Sequence, residues 1–247
     1  MKEALISMAT FGAGNQYVRG RPDLLSSYTG FIEVLRKVLP RTLGFLTLEI
    51  RTPDVVLVTK SGEFLIDSVS GGVGAVIDLA WQIHTYSHQN GEFVVVIDEP
   101  ENHLHPSMQR ELLPNLLAAF PSVQFIVATH SPFIVTAVRD SVVNVLAYRE
   151  SESVAQNSGV APALSVYSKV LDHVNKAASA NEVLRDVLGM DTTIPVWVSA
   201  ELELLVERLR GGPMTAQTVR EMEMHLAQSG LSEFLPDAMD ALARGAR

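Results

Sequence analysis

Two runs of mostly apolar and β-branched residues most constrain the fold of this chain: Phe93–Ile97, and Val123–Ala128 with Gln124 as its one polar residue. Such runs, without polar alternation, are typical of strands covered on both faces of a parallel sheet. Between them, apolar residues recur at helical spacing: Met108, Leu112, Leu113, Leu116 and Leu117. The pattern predicts a strand–helix–strand unit with parallel neighbouring strands, so their carboxyl ends share one edge of the sheet, where ligands of open α/β sheets bind.

Shorter elements precede this unit. Residues 1–28 include Gly, Ser, Asn and Arg and show little periodicity, so we expect them to be loop-like or the continuation of a segment upstream. Residues 29–39 have the spacing of a helix that Pro40 ends. Three β-rich runs near 46–50, 55–59 and 63–66 predict a small antiparallel meander, and a helix follows the glycines at 71 and 72.

The remaining chain is expected to be mainly helical. Val142–Tyr148 has the composition of a strand, and the polar stretch Ser151–Gly159 is typical of a connection. Helical patterns follow near 164–189, 197–210, 215–228 and 232–243. We therefore predict an α/β fold with three parts: a loop-like segment 1–28, a lobe 29–150, and a helical region 151–247. In that region Leu202, Leu205, Val206 and Leu209 form an apolar stripe expected to pack against the lobe or another subunit.

Composition narrows the classes of function. The 247 residues are 47% hydrophobic, and 19 basic against 28 acidic residues give a formal charge of -9. This balance provides no broad attraction for nucleic acid or an anionic membrane, although a local basic patch for nucleic acid stays compatible with it. The chain contains no cysteine and no apolar run near the roughly 20 residues that span a membrane. A soluble, cytoplasmic protein is therefore expected.

Acidic residues stand directly after the first apolar run. Asp98 at the carboxyl end of a strand can hold a hydrated magnesium ion, and the adjacent Glu99 can act as a base toward an attacking water. After the second run comes His130, which can donate a hydrogen bond to charge developing on a transferred phosphoryl group. Surface acids and an ordinary loop histidine are the alternative interpretation of each segment taken alone.

A glycine pair marks the start of the helix that follows the meander. Ser70-Gly71-Gly72 permits close backbone approach, and the unpaired N–H groups of a helix start favour a phosphate. Taken alone, the tripeptide is typical of a turn. Its order before the acidic pair and the histidine favours a phosphate-handling site.

These three segments together resemble a known family. Ser70-Gly71-Gly72, the stretch Val94–Pro106 and the stretch Ala128–Pro132 are similar to motifs of the ATPase heads of the RecF, SMC and overcoming-lysogenization-defect group. The likeness is to bacterial AAA-type ATP-binding proteins of that group, which are associated with DNA maintenance or phage defence. It covers roughly residues 30–150.

The resemblance implies a role for each motif. Ser70, Gly71 and Gly72 would be the signature motif, which completes the ATP site of the opposite subunit in a head-to-head dimer. Asp98 would be the Walker B magnesium residue, Glu99 the catalytic base and His130 the switch histidine. Glu101–Pro106 would be the D-loop at the dimer contact. ATP and Mg²⁺ are the implied cofactors.

One element of such heads is missing from the sequence. No Gly-Lys dipeptide occurs, so the phosphate-binding pattern G-x-x-x-x-G-K-[ST] is absent from these 247 residues. The resemblance therefore predicts a homodimer or a partner ATPase chain that supplies the P-loop. Two further interpretations stay open: a non-catalytic docking subunit or degenerate ATPase fragment that engages a complete ATPase, and a metal site built from Glu101, His103 and His105 with Asp98 or Glu99 nearby.

Overall fold

The computed structural model of the chain describes residues 1–88, 90–150, 164–171, 179–190, 194–209 and 215–245. It has the predicted mixed α/β architecture, with a parallel sheet, antiparallel strands and helices. The chain divides into two compact units, 1–189 and 190–247. The first unit thus continues beyond residue 150, where the sequence pattern placed the end of the lobe. The predicted polar connection Ser151–Gly159 lies outside the described residues.

Two helices occupy the beginning of the chain, so the prediction that residues 1–28 are loop-like is wrong. Helix α1 spans Lys2–Ala13 and helix α2 spans Pro22–Val38. Leu5 of α1 is fully buried in the main core. A Cβ on Gly12 would lie 2.7 Å from the Leu25 backbone nitrogen, so the glycine permits the two helices to approach closely. Tertiary packing stabilises a segment whose own periodicity is weak.

The predicted meander is present. Strands β1 (Phe45–Arg51), β2 (Asp54–Thr59) and β3 (Gly62–Leu65) pair antiparallel in that order. The Tyr28 hydroxyl of α2 donates to the Leu48 carbonyl at 2.9 Å in a buried position. The side chain of Lys2 forms ion pairs with Asp54 at 2.7 Å and Asp67 at 2.8 Å. These contacts attach the first two helices to the meander.

The strand–helix–strand unit forms as the sequence predicts. Helix α3 (Gly71–Ser87) precedes strand β4 (Phe93–Asp98), and helix α4 (Pro106–Ala119) connects β4 to strand β5 (Val123–Ala128). The two strands pair parallel and in register, from Phe93 opposite Val123 to Asp98 opposite Ala128. Both strands therefore end at the same edge.

Only one face of the β4–β5 pair is covered within the described residues, so the prediction of burial on both faces is wrong. Along β4 the side chains alternate between half-buried and exposed. One face packs on the main core. On the other face Val94 is 51%, Val96 74% and Ile126 52% exposed. Continuous apolar composition reports that both faces are suited to burial, but it does not supply the element that covers the second face.

Strands also replace part of the predicted helical region. After the short helix α5 (Pro132–Val135), strand β6 (Asn144–Glu150) pairs antiparallel with β7 (Leu164–Val170). The helix predicted near 164–189 is therefore wrong for its first seven residues, because the non-local pairing with β6 overrides local pattern. Residues 180–182 form helix α6, which continues as a π-helical turn at Val183–Val187.

The second unit is helical, as predicted. It contains α7 (Val196–Leu209), α8 (Ala216–Gln228) and α9 (Leu235–Gly245). The apolar stripe of α7 packs within this unit, where Leu202, Leu205 and Val206 share a core with Met222 and Leu226. The stripe that the sequence predicted to pack on the lobe or on another subunit thus contributes to the core of its own unit. No helix in the described part of the chain is long and apolar enough to cross a membrane.

We expect the buried imidazole of His84 to make stability depend on pH. His84 in α3 is 5% exposed, contacts Phe31 and lies 2.9 Å from the Ser27 carbonyl. Burial, assisted by the charge of His88, holds the pKa of His84 below its ordinary value of 6.5. The stabilisation is complete above the unfolded pKa and is lost as the pH falls through the lowered folded pKa, because the unfolded state takes up the proton first. Urea unfolding over this range should show a smaller loss of stability in His84→Gln than in the parent; identical profiles would contradict it.

Candidate functional site

The paired ends of β4 and β5 bring the predicted acids and imidazole together. The Glu99 N–H donates to the Ala128 carbonyl at 2.8 Å, which extends the strand pairing by one bond beyond Asp98. Glu99 Oε1 then lies 3.9 Å from His130 Nε2. That distance exceeds a hydrogen bond, so both groups keep their capacity to bond a water or a phosphate oxygen.

The backbone at Glu99 has an unusual conformation. Its φ is +45°, and His103 in the same loop has φ +68°. Non-glycine residues in the left-handed region carry strain on the order of 1 kcal/mol or more and cluster at functional sites. Asn102 Nδ2 lies 3.4 Å from Glu99 Oε2 and donates to it. The turn directs the chain away from the sheet directly after Asp98.

An open cleft of about 380 Å³ lies at this edge. Its lining includes Glu99, Glu101 and His130, together with Gln109 of α4 and Ser131. The side chains of His130 and Glu99 are 85% and 47% exposed, so a ligand in the cleft can reach both. Asp98, at the end of the uncovered face, and residues 70–72 do not line this cleft.

Ser70 and Gly71 are exposed at the start of α3, whereas Gly72 is buried against the loop that follows β4. Ser70 is the N-cap residue of α3, but its side chain makes no capping hydrogen bond. A Cβ on Gly72 would lie 2.8 Å from the His103 carbonyl oxygen and 3.6 Å from the Met108 sulfur. The helix start therefore packs directly against the D-loop candidate.

One carboxylate at this sheet edge is available for a magnesium ion that accompanies a nucleotide. Asp98 supplies one exposed carboxylate at the strand end, and Mg²⁺ in phosphate-transfer sites is held by one or two carboxylates together with phosphate oxygens and water. Asp98 is the residue that would hold it. Among the described residues no three His, Asp or Glu side chains form a group suited to a metal ion by themselves.

The rival metal site is therefore not formed. Glu101 Oε1 instead accepts hydrogen bonds from the Thr129 hydroxyl at 2.7 Å and the His130 N–H at 2.9 Å. The His105 ring accepts from the Ser107 N–H and caps α4. His-x-His spacing alone did not reveal that Glu101 and His105 bind different partners.

Sequence reasoning missed two residues of this network. Thr129 and Gln109 were assigned no function, yet the Thr129 hydroxyl bonds Glu101 and the Gln109 side chain bonds Ser131. The position of Thr129 at the end of an apolar run beside His130 was the available signal. Gln109 carried none, because its role depends on how α4 lies beside the loop after β5.

Comparisons with known proteins find similar sequences. Residues 47–136 match the sequence model of the family described as "AAA domain, putative AbiEii toxin, Type IV TA system". A "Retron Vc95 probable ATPase" from Vibrio cholerae serotype O1 biovar El Tor is 34% identical over 113 residues, which are 40% of this chain and 22% of that protein. A "Septu protein PtuA" from Bacillus thuringiensis is 25% identical over 181 residues, 67% of this chain and 43% of that protein.

Solved structures of SMC ATPases are also similar. One, described as "Structural biochemistry of ATP-driven dimerization and DNA stimulated activation of SMC ATPases", aligns with a TM-score of 0.46 at 17% identity, covering 67% of this chain and 93% of the other. The chain covers less than half the length of either relative named above. The resemblance inferred from the motifs is confirmed at the level of the group: residues 47–136 match an AAA-domain family model, and the chain is similar to a probable ATPase of a retron.

We predict opposite outcomes for the two glycines of the helix start. Gly72→Ala should destabilise the chain by about 1 to 3 kcal/mol, since the new methyl group meets the His103 carbonyl rather than a movable side chain. Gly71→Ala is the matched control, because nothing lies within 4 Å of its Cβ position, and it should leave stability unchanged or slightly raised. Urea unfolding of both variants decides this, and equal stabilities would show that the close contact is absent in solution.

Proposed function

We propose that this chain supplies the Walker B side of an ABC-type ATP-hydrolysing site, which is completed by a P-loop that lies outside these 247 residues. The observation that carries the proposal is the 3.9 Å approach of Glu99 Oε1 to His130 Nε2 at the shared end of two parallel strands. A carboxylate and an imidazole held this close can act on the two sides of one transferred phosphoryl group. The match to an AAA ATPase domain supports ATP as the nucleotide.

In the proposed mechanism each residue has one task. Glu99 accepts a hydrogen bond from the attacking water and orients it. His130 donates from Nε2 to an oxygen on which charge develops, a stabilisation that grows toward the transition state. Asp98 would hold the magnesium ion that accompanies ATP, and that ion would supply neutralisation of phosphate charge. The exposed Ser70 and Gly71, with the buried Gly72 behind them, present the start of α3 to ATP on an opposite subunit.

The uncovered face of β4–β5 supports a protein partner. Val94 and Val96 of β4 and Ile126 of β5 are exposed on the same face of the sheet, and we call them the apolar row. In the parallel register this face ends at Asp98 on β4 and Ala128 on β5. A contiguous apolar surface of this kind marks an interaction site more often than a solvated face. A lobe that packs on the row would lie beside Asp98, where a P-loop would have to present phosphates to the magnesium residue. The motif resemblance supports a role for this ATP hydrolysis in DNA maintenance or phage defence.

The catalytic assignment is tested by mixing. The purified chain is combined with a polypeptide that carries a strand–GxxxxGK[ST]–helix, beginning with any encoded directly upstream. We expect ATP hydrolysis in the mixture and a rate near background for either chain alone. Glu99→Gln should lower kcat by about 100-fold or more, because the amide cannot act as a base. Glu111→Gln, an exposed glutamate of α4, is the matched control and should not change it.

Two results would overturn the catalytic assignment. The first is hydrolysis by the chain alone at an ordinary enzymatic rate that Glu99→Gln leaves unchanged. The second is stimulation of a complete ATPase partner that survives Glu99→Gln but is abolished by Ser70→Arg. That second result would identify the chain as a non-catalytic docking subunit.

A separate prediction concerns the apolar row. Val96→Asp should weaken binding of the P-loop polypeptide by about tenfold or more, since a carboxylate would be buried without a partner in the interface. The folded chain itself should keep its stability, because Val96 is 74% exposed. Val142→Asp, at a valine that is 77% exposed and lies outside β4 and β5, is the matched control. Isothermal titration calorimetry measures both, and equal affinities would exclude this face as the contact.

A further inference from the structure

An unusual carboxylate lies beside the proposed catalytic pair. Among the residues that the structure describes, one buried side-chain oxygen has no hydrogen-bond partner, and it is Glu101 Oε2. Desolvating a carboxylate oxygen without a donor is costly. The stabilisation that keeps Glu101 in this position must come from its other oxygen, Oε1.

Oε1 of Glu101 connects the two loops of the site. It accepts from the Thr129 hydroxyl at 2.7 Å and from the His130 backbone N–H at 2.9 Å, residues that follow it by 28 and 29 positions. Hydrogen bonds to a carboxylate are stronger than those between neutral groups. Glu101 thus holds the loop after β5 against the loop after β4 at the position of His130.

The neighbouring hydrogen bonds extend this connection to α4. The Ser131 N–H donates to Thr129 Oγ1 at 3.0 Å, and the Ser131 hydroxyl donates to Gln109 Oε1 at 2.6 Å. Gln109 Nε2 in turn donates to the Leu104 carbonyl at 2.9 Å. The chain of bonds returns to the same loop that contains Glu101, so this loop and the histidine loop are joined at two points.

The ring of His130 depends on these backbone contacts. Its side chain is 85% exposed, so packing does not fix it, and Glu99 Oε1 lies 3.9 Å away, beyond hydrogen-bond distance. The position of the ring relative to Glu99 is therefore set largely by the backbone of residues 129–131. That backbone is what Glu101 binds.

We propose that Glu101 is a positioning residue, which fixes the His130 backbone through Oε1 and so holds the imidazole opposite Glu99. The proposal rests on the proposed function in one respect, since it takes His130 as the group that meets the phosphate. Glu101 itself does not act on the reacting atoms. The Glu101 carboxylate acts by fixing the distance between Glu99 and His130.

Amide hydrogen exchange followed by NMR tests the contact without any ATPase activity. In Glu101→Ala the His130 amide loses its acceptor, and its exchange rate should rise about tenfold or more. Glu101→Gln keeps an oxygen that can accept both donors, so the rate should stay within about threefold of the parent. Glu111→Ala, at an exposed glutamate of α4, is the matched control and should change nothing at His130. An unchanged His130 exchange rate in Glu101→Ala would overturn the proposal.

A second variant keeps the test valid if Glu101→Ala fails to fold. Thr129→Val removes the hydroxyl that accepts from Ser131 N–H and donates to Glu101, but it leaves the His130 N–H bonded to Oε1. The Ser131 amide should exchange about fivefold faster or more, and the His130 amide less so. If the Ser131 and His130 amides each exchange at the same rate in Thr129→Val as in the parent, the proposed hydrogen bonds around Glu101 are contradicted.

Kinetics of the ATPase mixture separate positioning from general support of the fold. Glu101→Ala should lower kcat by about tenfold with KM unchanged, and Glu101→Gln should recover most of it. In a His130→Ala background, Glu101→Ala should cause no further loss, because its effect passes through the imidazole. Independent, multiplying losses would overturn the proposal. A mixture with no ATPase activity would count against the proposed function, while amide exchange would still decide the role of Glu101.

Discussion

The parallel pairing of β4 with β5 is the constraint on which the site depends. Because Asp98 lies opposite Ala128, strands β4 and β5 end at the same level of the sheet. The Glu99 N–H still donates to the Ala128 carbonyl. A slip of one residue would turn every side chain of one strand to the other face. The core-facing side chains of β4 pack on the main core. The strand register therefore sets the level at which the loops that carry Glu99 and His130 leave the sheet, although neither residue is buried.

The loop after β4 joins the functional surfaces of this unit. Its backbone contacts the start of α3 through the His103 carbonyl near Gly72, while Glu101 binds the loop that carries His130. Two residues with positive φ, Glu99 and His103, mark the bends that make both contacts compatible. A partner that engages residues 70–72 would press on a loop already bonded to the histidine. The arrangement gives a physical basis for coupling the two surfaces.

Much of this arrangement could be predicted from sequence because it rests on local patterns. The apolar runs and the helical spacing between them define the β4–α4–β5 unit, and the parallel pairing that this unit implies places Asp98 and His130 at one edge. Non-local features were missed. Helix α1 needs close packing at Gly12, and β7 needs its partner β6. Glu101 accepts hydrogen bonds from Thr129 and His130 and does not contribute to a metal site. This depends on three-dimensional distances that the spacing of residues in the sequence does not encode.

In the proposed function, Glu99 and His130 both act on the terminal phosphate of one nucleotide. Paramagnetic relaxation measures this most directly, by comparing the His130 ring resonances with Mn²⁺·ATP and with Mg²⁺·ATP in the complex with a P-loop polypeptide. We expect manganese to broaden the His130 signals strongly, and we expect this broadening to be lost in Asp98→Ala. Sharp His130 signals in a complex shown to have bound Mn²⁺·ATP would contradict it.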